Sequence, residues 1–331
     1  MTTTISVALC TRNGERFIAE QVASILLQTR LPQELIVSDD GSTDATLDLI
    51  EGAIADFGAS HPEHGIRLTV LRNPVALGVV RNFEQAISAA SGDLIALCDQ
   101  DDRWHPRRIE LAVAEFERRP EVLLVYGDAR LVDDRGEPLR HSLFEALAVS
   151  AAERSEVRGG NALAALMGRN LVTGATTMIR RTLLIAALPF PEEWVHDEWL
   201  AAIAATTGSI DFLDEEIIDY RQHGANVIGA ERLGFAARLG KLREPRSQRN
   251  HLLAARASVL VDRLAQLGTA VPAADLDLAR GKLAHEEVRL SLPRGRLSRI
   301  APVTRELRSG GYRRFGRGLQ DVLRDLVQPA R

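Results

Sequence analysis

The chain has 331 residues, a formal net charge of -4 and a mean hydropathy of -0.07. A chain of this size can bury one large domain with a smaller appendage. Its two cysteines, Cys10 and Cys98, fall at the ends of apolar runs and are predicted to be buried thiols, which argues against a disulfide framework. No apolar run approaches the roughly 18 residues of a spanning helix, and residues 1–4 show no cleavable signal pattern, so we expect a cytoplasmic protein.

The first two predicted strands each run into a polar loop and a helix. Residues 5–10 are an apolar run followed by Thr-Arg-Asn-Gly and a helix pattern over residues 17–26. Residues 34–38 are followed by Asp39-Asp40-Gly-Ser-Thr-Asp and a helix pattern over 47–57, for which Ser42 is the predicted N-cap. A strand, an acidic turn and a helix in succession are typical of a ligand-binding sheet edge.

A third junction carries three carboxylates in four residues. The buried strand pattern over 94–97 ends in Asp99, Asp101 and Asp102. Negative charges at one strand tip repel each other unless a cation or a donor-rich ligand neutralises them. The cluster therefore predicts a metal and phosphate site, and an acidic surface turn is the alternative.

The alternation of strands with helices predicts the fold class. Further strands are predicted at 67–71 and 122–126, with helices over 83–90 and 109–116. Such βαβ units predict an α/β fold with a mostly parallel sheet, in which ligands bind outside the carboxyl ends of the strands.

Eight segments in order resemble a known family. They are residues 7–13, 37–44, 78–82, 97–102, 126–128, 173–178, 196–199 and 220–226. Together they resemble glycosyltransferase family 2, the inverting GT-A enzymes, over about residues 3–230. The last two segments are most similar to the bacterial rhamnosyltransferase-like branch. The resemblance implies a GT-A fold, Rossmann-like and typical of nucleotide-diphospho-sugar transferases, with a C-terminal helical extension.

The resemblance also implies roles for the donor side of the site. Thr11, Asp40, Arg81 and Asp99 would bind the nucleotide sugar, with Asp40 at the base and Asp99 at the ribose. For Arg81 a surface ion pair is the equal alternative. Mg²⁺ or Mn²⁺ would be held against the diphosphate by the metal-site residues Asp101, Asp102 and His223. An exposed or hydrogen-bonded imidazole is the alternative for His223.

On the acceptor side, Asp197 is the predicted catalytic base, which removes a proton from the attacking hydroxyl. Alternatively, Asp197 would only stabilise the start of its helix by compensating the helix dipole. Trp199 and Arg221 are assigned to the acceptor or sugar pocket, although the Trp199 ring would equally suit the core.

The expected reaction is transfer of a single sugar to a glycan or lipid-linked acceptor in bacterial surface polysaccharide synthesis. Rhamnose from dTDP-rhamnose is the expectation at the level of the branch. Processive synthesis, which in this family goes with a Gln-x-x-Arg-Trp motif, is not expected. Two alternatives remain: a catalytically silent binding or scaffold protein of the same fold, and a glycoside hydrolase with paired carboxylates. A phosphatase is disfavoured because Arg103 stands at the Thr/Val position of its nucleophile loop.

The C-terminal third differs in charge from the rest. Residues 231–331 contain 21 Lys and Arg against 10 Asp and Glu. We therefore predict a catalytic domain over 1–230 and a basic, mostly helical region over 231–331. A solvated helical face and peripheral contact with anionic lipid at the inner face of the plasma membrane are the two main interpretations. Nucleic acid is not an expected partner, because few aromatics are interleaved with the arginines.

Overall fold

The computed structural model describes residues 3–63, 65–223 and 245–329. The chain divides into two compact units, one of Met1–Ser150 with Val172–Ala230 and one of Ala151–Leu171 with Glu231–Arg331. The predicted boundary at residue 230 left 151–171 in the catalytic domain, whereas this segment packs with the C-terminal helices. The division into a catalytic domain and a separate basic domain stays a prediction.

The secondary structure of the described residues alternates as the sequence predicts over the first half of the chain. The strands are β1 (Ile5–Thr11), β2 (Glu34–Asp39), β3 (Arg67–Arg72), β4 (Leu94–Cys98), β5 (Arg103–Trp104), β6 (Val122–Val132), β7 (Pro138–Ser142), β8 (Met178–Arg180) and β9 (Ser209–Arg221). The helices are α1 (Ile18–Leu26), α2 (Thr46–Ser60), α3 (Val79–Ala89), α4 (Arg108–Arg118), α5 (Leu143–Ala146), α6 (Ala151–Arg158), α7 (Ala162–Gly168), α8 (Leu184–Ala187), α9 (His196–Thr207), α10 (Arg246–Leu267), α11 (Ala273–Leu290), α12 (Ile300–Arg308), α13 (Gly311–Phe315) and α14 (Leu319–Val327).

All the strands of the first unit form one mixed sheet, in the order β3-β2-β1-β4-β8-β6-β9-β5 with β7 paired to β6. The strands from β3 to β4 are parallel, and β6 is parallel to β9. β8 joins these two halves by antiparallel pairing to both β4 and β6. The predicted α/β class is confirmed. Because β1, β2 and β4 are parallel neighbours, their carboxyl ends meet at the same edge.

The core explains why these segments are strands. β1, β2 and β4 are buried at every position, and their near-continuous apolar sequences are those of parallel strands covered on both faces. The helices α1, α3 and α4 bury one apolar face each. The predicted N-cap at Ser42 is wrong: α2 begins at Thr46, and the Ser42 hydroxyl instead donates to Asp39 and accepts from the amide of Asn13.

In the second unit, α10 and α11 pack along each other and the shorter helices pack around them. Several of its arginines are buried. Arg246 donates to the carbonyls of Arg289 and Leu292, and Arg299 donates to the carbonyls of Asp325 and Gln328. Some of the arginines that make this region basic are therefore buried, where they donate hydrogen bonds to backbone carbonyls near the ends of helices. Among the described residues, no helix combines the length and the apolar character that crossing a membrane requires.

Candidate active site

The loops after β1, β2 and β4 form one hydrogen-bonded edge. The Asn13 amide donates to Ser42 Oγ at 2.8 Å, and Asn13 Oδ1 accepts from the Thr43 amide at 2.9 Å. Gln100 joins the loop after β4 to the loop after β1, since its side chain accepts from the Arg12 amide at 2.8 Å and donates to the Arg12 carbonyl at 3.1 Å. These reciprocal bonds fix the three loops as a single rim at the carboxyl edge of the sheet.

Two predicted nucleotide-binding residues hold this rim together. Thr11 Oγ1 donates to Asp39 Oδ1 at 2.8 Å. The Asp40 carboxylate accepts from the amides of Leu77 and Gly78 at 2.6 and 2.9 Å, which fixes the loop before α3. Gly78 has φ of +81°, a conformation that favours glycine. Thr11 and Asp40 therefore act on the shape of the rim, and their contact with a nucleotide stays a prediction.

Arg81 lies on the surface at the start of α3. Its guanidinium donates to Glu84 at 2.5 Å and lies 3.8 Å from Glu192. The Glu84 hydrogen bond raises the pKa of Arg81. The structure thus contains the surface ion pair that was the alternative for this residue, and a role at the diphosphate stays a prediction.

Four carboxylates converge beyond β4. Burial, together with the charges of Asp101 and Asp197, raises the pKa of Asp99 to about 7. Burial and the charges of Asp101 and Asp99 raise the pKa of Asp102 well above its ordinary value. Asp102 is 1% exposed, and its Oδ2 has no hydrogen-bond partner among the described residues. Acids held this close without matched cations form a site of strong negative potential.

A buried cation, Arg108, lies beside these acids, and sequence reasoning missed it. Arg108 donates to the Leu97 carbonyl at 3.0 Å, and its guanidinium lies 3.7 Å from the centroid of the Trp104 ring. Burial lowers its pKa to about 10, while the charges of Cys98, Asp102 and Asp99 oppose that change. The available signal was its position on the apolar face of α4, four residues before Ala112.

The predicted position of Arg221 in the acceptor or sugar pocket is not what the structure shows. The Arg221 amide donates to Asp102 Oδ1 at 3.0 Å, and its Nε donates to the Asp101 carbonyl at 2.9 Å. Its guanidinium also lies 4.7 Å from the centroid of the Phe17 ring. With both its backbone and its side chain, Arg221 holds the acid loop, so it is a positioning residue.

His223 lies beside Asp101 of the acid loop. Its Nε2 lies 2.9 Å from Asp101 Oδ2, and its ring stacks on Phe17 with centroids 5.0 Å apart. The remainder of the last resemblance segment, residues 224–226, lies outside the described residues. His223 thus contacts Asp101, and the assignment of Asp101, Asp102 and His223 as metal ligands stays a prediction.

The donor set fits a hard divalent cation. Carboxylate oxygens are the ligands that Mg²⁺ and Mn²⁺ prefer, and the partnerless Oδ2 of Asp102 is a buried oxygen that still lacks a donor or a cation. Within residues 3–63, 65–223 and 245–329, no group of three His, Cys, Asp or Glu side chains is arranged to hold a metal. Mg²⁺ bound to phosphates usually takes one or two protein carboxylates and completes its shell with ligand oxygens, so a dedicated protein cage is not required.

Asp197 enters the cluster from α9. Its Oδ2 accepts from the Gly174 amide at 2.8 Å, and its charge acts on Asp99. The neighbouring His196 stacks on Phe83 with centroids 4.0 Å apart, and burial lowers the His196 pKa to about 3. His196 is therefore a neutral packing residue, and Asp197 is the titratable group of this pair that faces the other acids.

The predicted position of Trp199 in the acceptor or sugar pocket also differs from the structure. The ring is fully buried, and its Nε1 donates to the Ala187 carbonyl at 2.8 Å. Residues two apart on a helix point about 200° from each other, so Trp199 must face away from the side that carries Asp197. Trp199 belongs to the core and does not line an acceptor pocket.

Tyr220 is a further neighbour that sequence reasoning did not assign. Burial, followed by the charges of Asp102, Asp99, Asp101 and Asp197, raises its pKa. Its phenol is therefore protonated and lies in the field of all four acids. The sequence shows Tyr220 only as part of a motif and does not indicate which way its side chain points.

The expectation of single-sugar transfer rests on the absence of a Gln-x-x-Arg-Trp motif, and that premise is wrong: these letters occur at residues 100–104, inside the acid loop itself. There Gln100 joins the loops, Arg103 pairs with Asp219, and Trp104 is buried beneath Arg108. These roles are structural, so the letters do not separate single from repeated transfer. Single-sugar transfer stays a prediction.

A family model described as "Glycosyl transferase family 2" matches residues 6–184, more than half of the chain. The chain therefore belongs to glycosyl transferase family 2. An uncharacterised protein of Mycobacterium tuberculosis is 28% identical over 228 residues, which are 67% of this chain and 60% of that protein. The chain thus spans about three fifths of the length of such curated relatives.

Solved structures show the fold. TarS residues 1–349 of S. aureus in complex with UDP-GlcNAc aligns over 97% of this chain and 89% of that chain, with 15% identity and a TM-score of 0.56. The mannosyltransferase PcManGT of Pyrobaculum calidifontis, in complex with GDP-Man and Mn²⁺, aligns over 94% and 76%, with 18% identity and a TM-score of 0.52. The predicted GT-A fold with C-terminal helices is confirmed.

Proposed function

We propose that this chain is an inverting glycosyltransferase that takes a sugar from a nucleotide-sugar donor. One observation carries the proposal. Four carboxylates, one of them with a buried oxygen that lacks a hydrogen-bond partner among the described residues, lie beside two buried arginines, Arg108 and Arg221, at the ligand-binding edge of a GT-A sheet. Such an excess of negative charge is costly unless a cation and its phosphate ligand complete it.

The donor would bind with its diphosphate beside the acid loop. Asp101 and Asp102 would hold Mg²⁺ or Mn²⁺, and His223 would complete or orient this set through Asp101. When bound, the cation neutralises charge that develops on the leaving nucleoside diphosphate. Asp99, in its predicted role, accepts hydrogen bonds from the ribose, and Asp40 shapes the base site through the 77–78 amides.

Asp197 is the proposed general base. Inversion needs a carboxylate on the acceptor side that takes the hydroxyl proton while the oxygen attacks the anomeric carbon. The Gly174 amide fixes one Asp197 oxygen at 2.8 Å, and that carboxylate faces the other acids. The alternative, that Asp197 serves only the dipole of α9, gives no reason for this convergence.

The finer assignment concerns the substrates. We propose transfer of a single sugar to a glycan or lipid-linked acceptor in bacterial surface polysaccharide synthesis, with dTDP-rhamnose as the first donor to test. This choice rests on the likeness of residues 196–199 and 220–226 to the rhamnosyltransferase-like branch. TarS binds UDP-GlcNAc and PcManGT binds GDP-Man, so UDP and GDP sugars belong in the same test.

The test is a screen for release of free nucleoside diphosphate. The full chain is incubated with dTDP-rhamnose, UDP-glucose, UDP-GlcNAc and GDP-mannose, each with Mg²⁺, with Mn²⁺ and with EDTA. The proposal expects slow hydrolysis of one donor that stops with EDTA. Release of sugar from a glycoside with no nucleotide turnover would establish the hydrolase instead. Binding of a nucleotide sugar without turnover, with or without saccharide acceptors, would establish the silent binding protein.

A further inference from the structure

Residues 294–329, which include the last three described helices, expose many arginines and no acid. Residues 294–329 are all described, and every exposed charged side chain among them is an arginine, seven in total. The three acids of this stretch turn inward. Glu306 lies 2.6 Å from His285 Nδ1, and Asp321 and Asp325 are buried against Arg289. The exposed charged side chains of this segment are therefore all positive.

Exposed apolar side chains lie on the same segment. On α14 they recur at every fourth residue, and the others lie on α12 and on the turn before it. We define the apolar ridge as the exposed residues Leu297, Ile300, Leu307, Leu319, Leu323 and Val327. Leu297 and Leu319 are 84% and 75% exposed. Residues four apart on a helix share one face, so α14 carries a continuous apolar stripe.

The two helices bring these residues to one side. Arg299, at the start of α12, donates to the carbonyls of Asp325 and Gln328 at the end of α14, so the helices run antiparallel. Val322 and Leu326 of α14 pack against a cluster that contains Val303 of α12, together with Leu292 and Tyr312.

On each helix, two exposed apolar residues lie on the same rotational side of the residues that pack at this cluster. At about 100° per residue, viewed from the amino end, Ile300 and Leu307 lie about 60° and 40° beyond Val303, and Leu319 and Leu323 lie about 40° and 80° beyond the midpoint of Val322 and Leu326. When two helices run antiparallel, residues that are rotated in the same direction from the contact, each viewed from its own amino end, face the same side of the pair. Ile300 and Leu307 of α12 therefore face the same side as Leu319 and Leu323 of α14.

We propose that the apolar ridge and its arginines bind the surface of an anionic lipid bilayer. Helices with leucines on one face and arginines around them lie in the membrane interface, where the apolar side chains enter the headgroup boundary and the cations meet anionic lipid. An exposed apolar patch of this kind on a monomeric chain marks an interaction surface. The positive sign of the surroundings selects a negatively charged partner.

Two other occupants fit less well. Single-stranded nucleic acid is bound by aromatic side chains interleaved with cations, and the two aromatics of 294–329, Tyr312 and Phe315, are both buried. A second copy of the chain would bring two arginine-rich faces together, and like charges across an interface are unfavourable. The bilayer is the partner that suits both the leucines and the arginines.

The test is co-sedimentation of the full chain with vesicles at low salt. One set of vesicles is phosphatidylcholine alone, and the other is an equal mixture of phosphatidylcholine and phosphatidylglycerol. We expect binding only to the mixed vesicles, and release at high salt as the Debye length shortens. Binding is measured without any donor sugar, so its failure and the failure of the proposed catalysis are separate results.

Two variant sets address the two halves of the surface. Arg313→Gln, Arg314→Gln and Arg317→Gln together should weaken partitioning roughly 100-fold, at about fivefold for each cation. Leu297→Gln, Leu319→Gln and Leu323→Gln together should weaken it at least about tenfold. All six residues are exposed, and circular dichroism with cooperative unfolding establishes that the variants are folded.

Matched controls come from the first unit. Leu27, Val75 and Ile185 are 71%, 76% and 87% exposed, and their glutamine variants should bind vesicles as the wild type does. Wild-type protein that ignores mixed vesicles would overturn the proposal. So would a leucine set that leaves vesicle binding unchanged, or one that instead dissolves a dimer seen by light scattering. Tighter binding to an oligonucleotide than to vesicles, lost only in the arginine set, would overturn it in favour of nucleic acid.

Discussion

Two groups of buried charges, one in each unit, are built in opposite ways. In the second unit, Asp325 accepts from Arg289 at 2.8 Å, from the Tyr312 hydroxyl at 2.9 Å and from Arg249 at 3.1 Å. In the first unit, Asp102 Oδ2 is buried without a hydrogen-bond partner among the described residues.

The pKa values follow the same contrast. Burial alone would raise the pKa of Asp321, but the charge of Arg289 with the Arg317 amide outweighs it, and the net pKa is lowered. For Asp99 and Asp102, burial and neighbouring acids act together and the pKa rises. Buried acids with matched cations hold a fold together, whereas buried acids without them indicate a site that a ligand completes.

The largest effect is expected at Asp325. Asp325→Asn removes the charge that Arg289 and Arg249 share, and breaking a buried pair by removing one partner costs about 3–5 kcal/mol of unfolding free energy. Urea denaturation followed by circular dichroism measures this loss. Asp277→Asn, which removes an exposed pair with Arg280, is the matched control and should change little. Equal stability of the Asp325 variant and the wild type would contradict a structural role for this cluster.

At the acid cluster the first expected effect is on rate. Asp197→Asn keeps the shape of the side chain and should preserve donor affinity, but it should lower the transfer rate by roughly 10²-fold or more because the general base is lost. Steady-state kinetics with the identified donor, alongside calorimetry of donor binding, separates the two quantities. Glu198→Gln is the control variant. If that variant loses the rate and the Asp197 variant keeps it, the base is Glu198.

The pH dependence of stability comes from His196. Its folded pKa of about 3 lies below the usual 6.5, so the unfolded state binds the extra proton between these values. The unfolding free energy should therefore fall as the pH drops below about 6.5, by at most about 1.4 kcal/mol per pH unit from this group. His196→Leu should flatten that slope. An unaltered slope in the Leu variant would show that His196 does not titrate as its burial requires.

The smallest expected effect is a gain in unfolding free energy when the charge of Asp102 is removed. Asp102→Asn retains an oxygen for the Arg221 amide but removes one of the repelling charges, so we expect about 1 kcal/mol of added stability without divalent cation. Thermal unfolding in EDTA measures it, with Asp56→Asn at an exposed position as the control. A clear loss of stability would indicate that the Asp102 charge is already compensated within the chain.

The sequence was sufficient for the parts of the fold that local pattern determines. Continuous apolar runs predicted β1, β2 and β4, and the carboxyl-end rule then brought Asp40, Asp99 and Asp101 to one edge. The short strands β5, β7 and β8 were not predicted, because pairing determines them. Arg103 and Trp104, for example, pair with residues more than 110 positions away.

Side-chain direction limited the prediction of the site. Trp199 and Arg221 lie in the expected motifs, yet one points into the core and the other beneath the acid loop. Arg108 and Tyr220 were missed because their roles depend on which acids fold against them. Position along the chain predicted which segments meet, but not which way their side chains turn.

The central claim is that the acid cluster is completed by a divalent cation and a nucleoside diphosphate. The most direct measurement is thermal unfolding of the full chain with UDP, GDP or dTDP, each with and without Mn²⁺, for the wild type and for Asp101→Asn. The account predicts that one diphosphate with Mn²⁺ stabilises the wild type, by about 2.7 kcal/mol at a hundredfold excess over Kd, and that neither component does so alone. The variant should lose most of this stabilisation. Equal stabilisation of the variant, or none of the wild type by any diphosphate with Mn²⁺, would contradict the account.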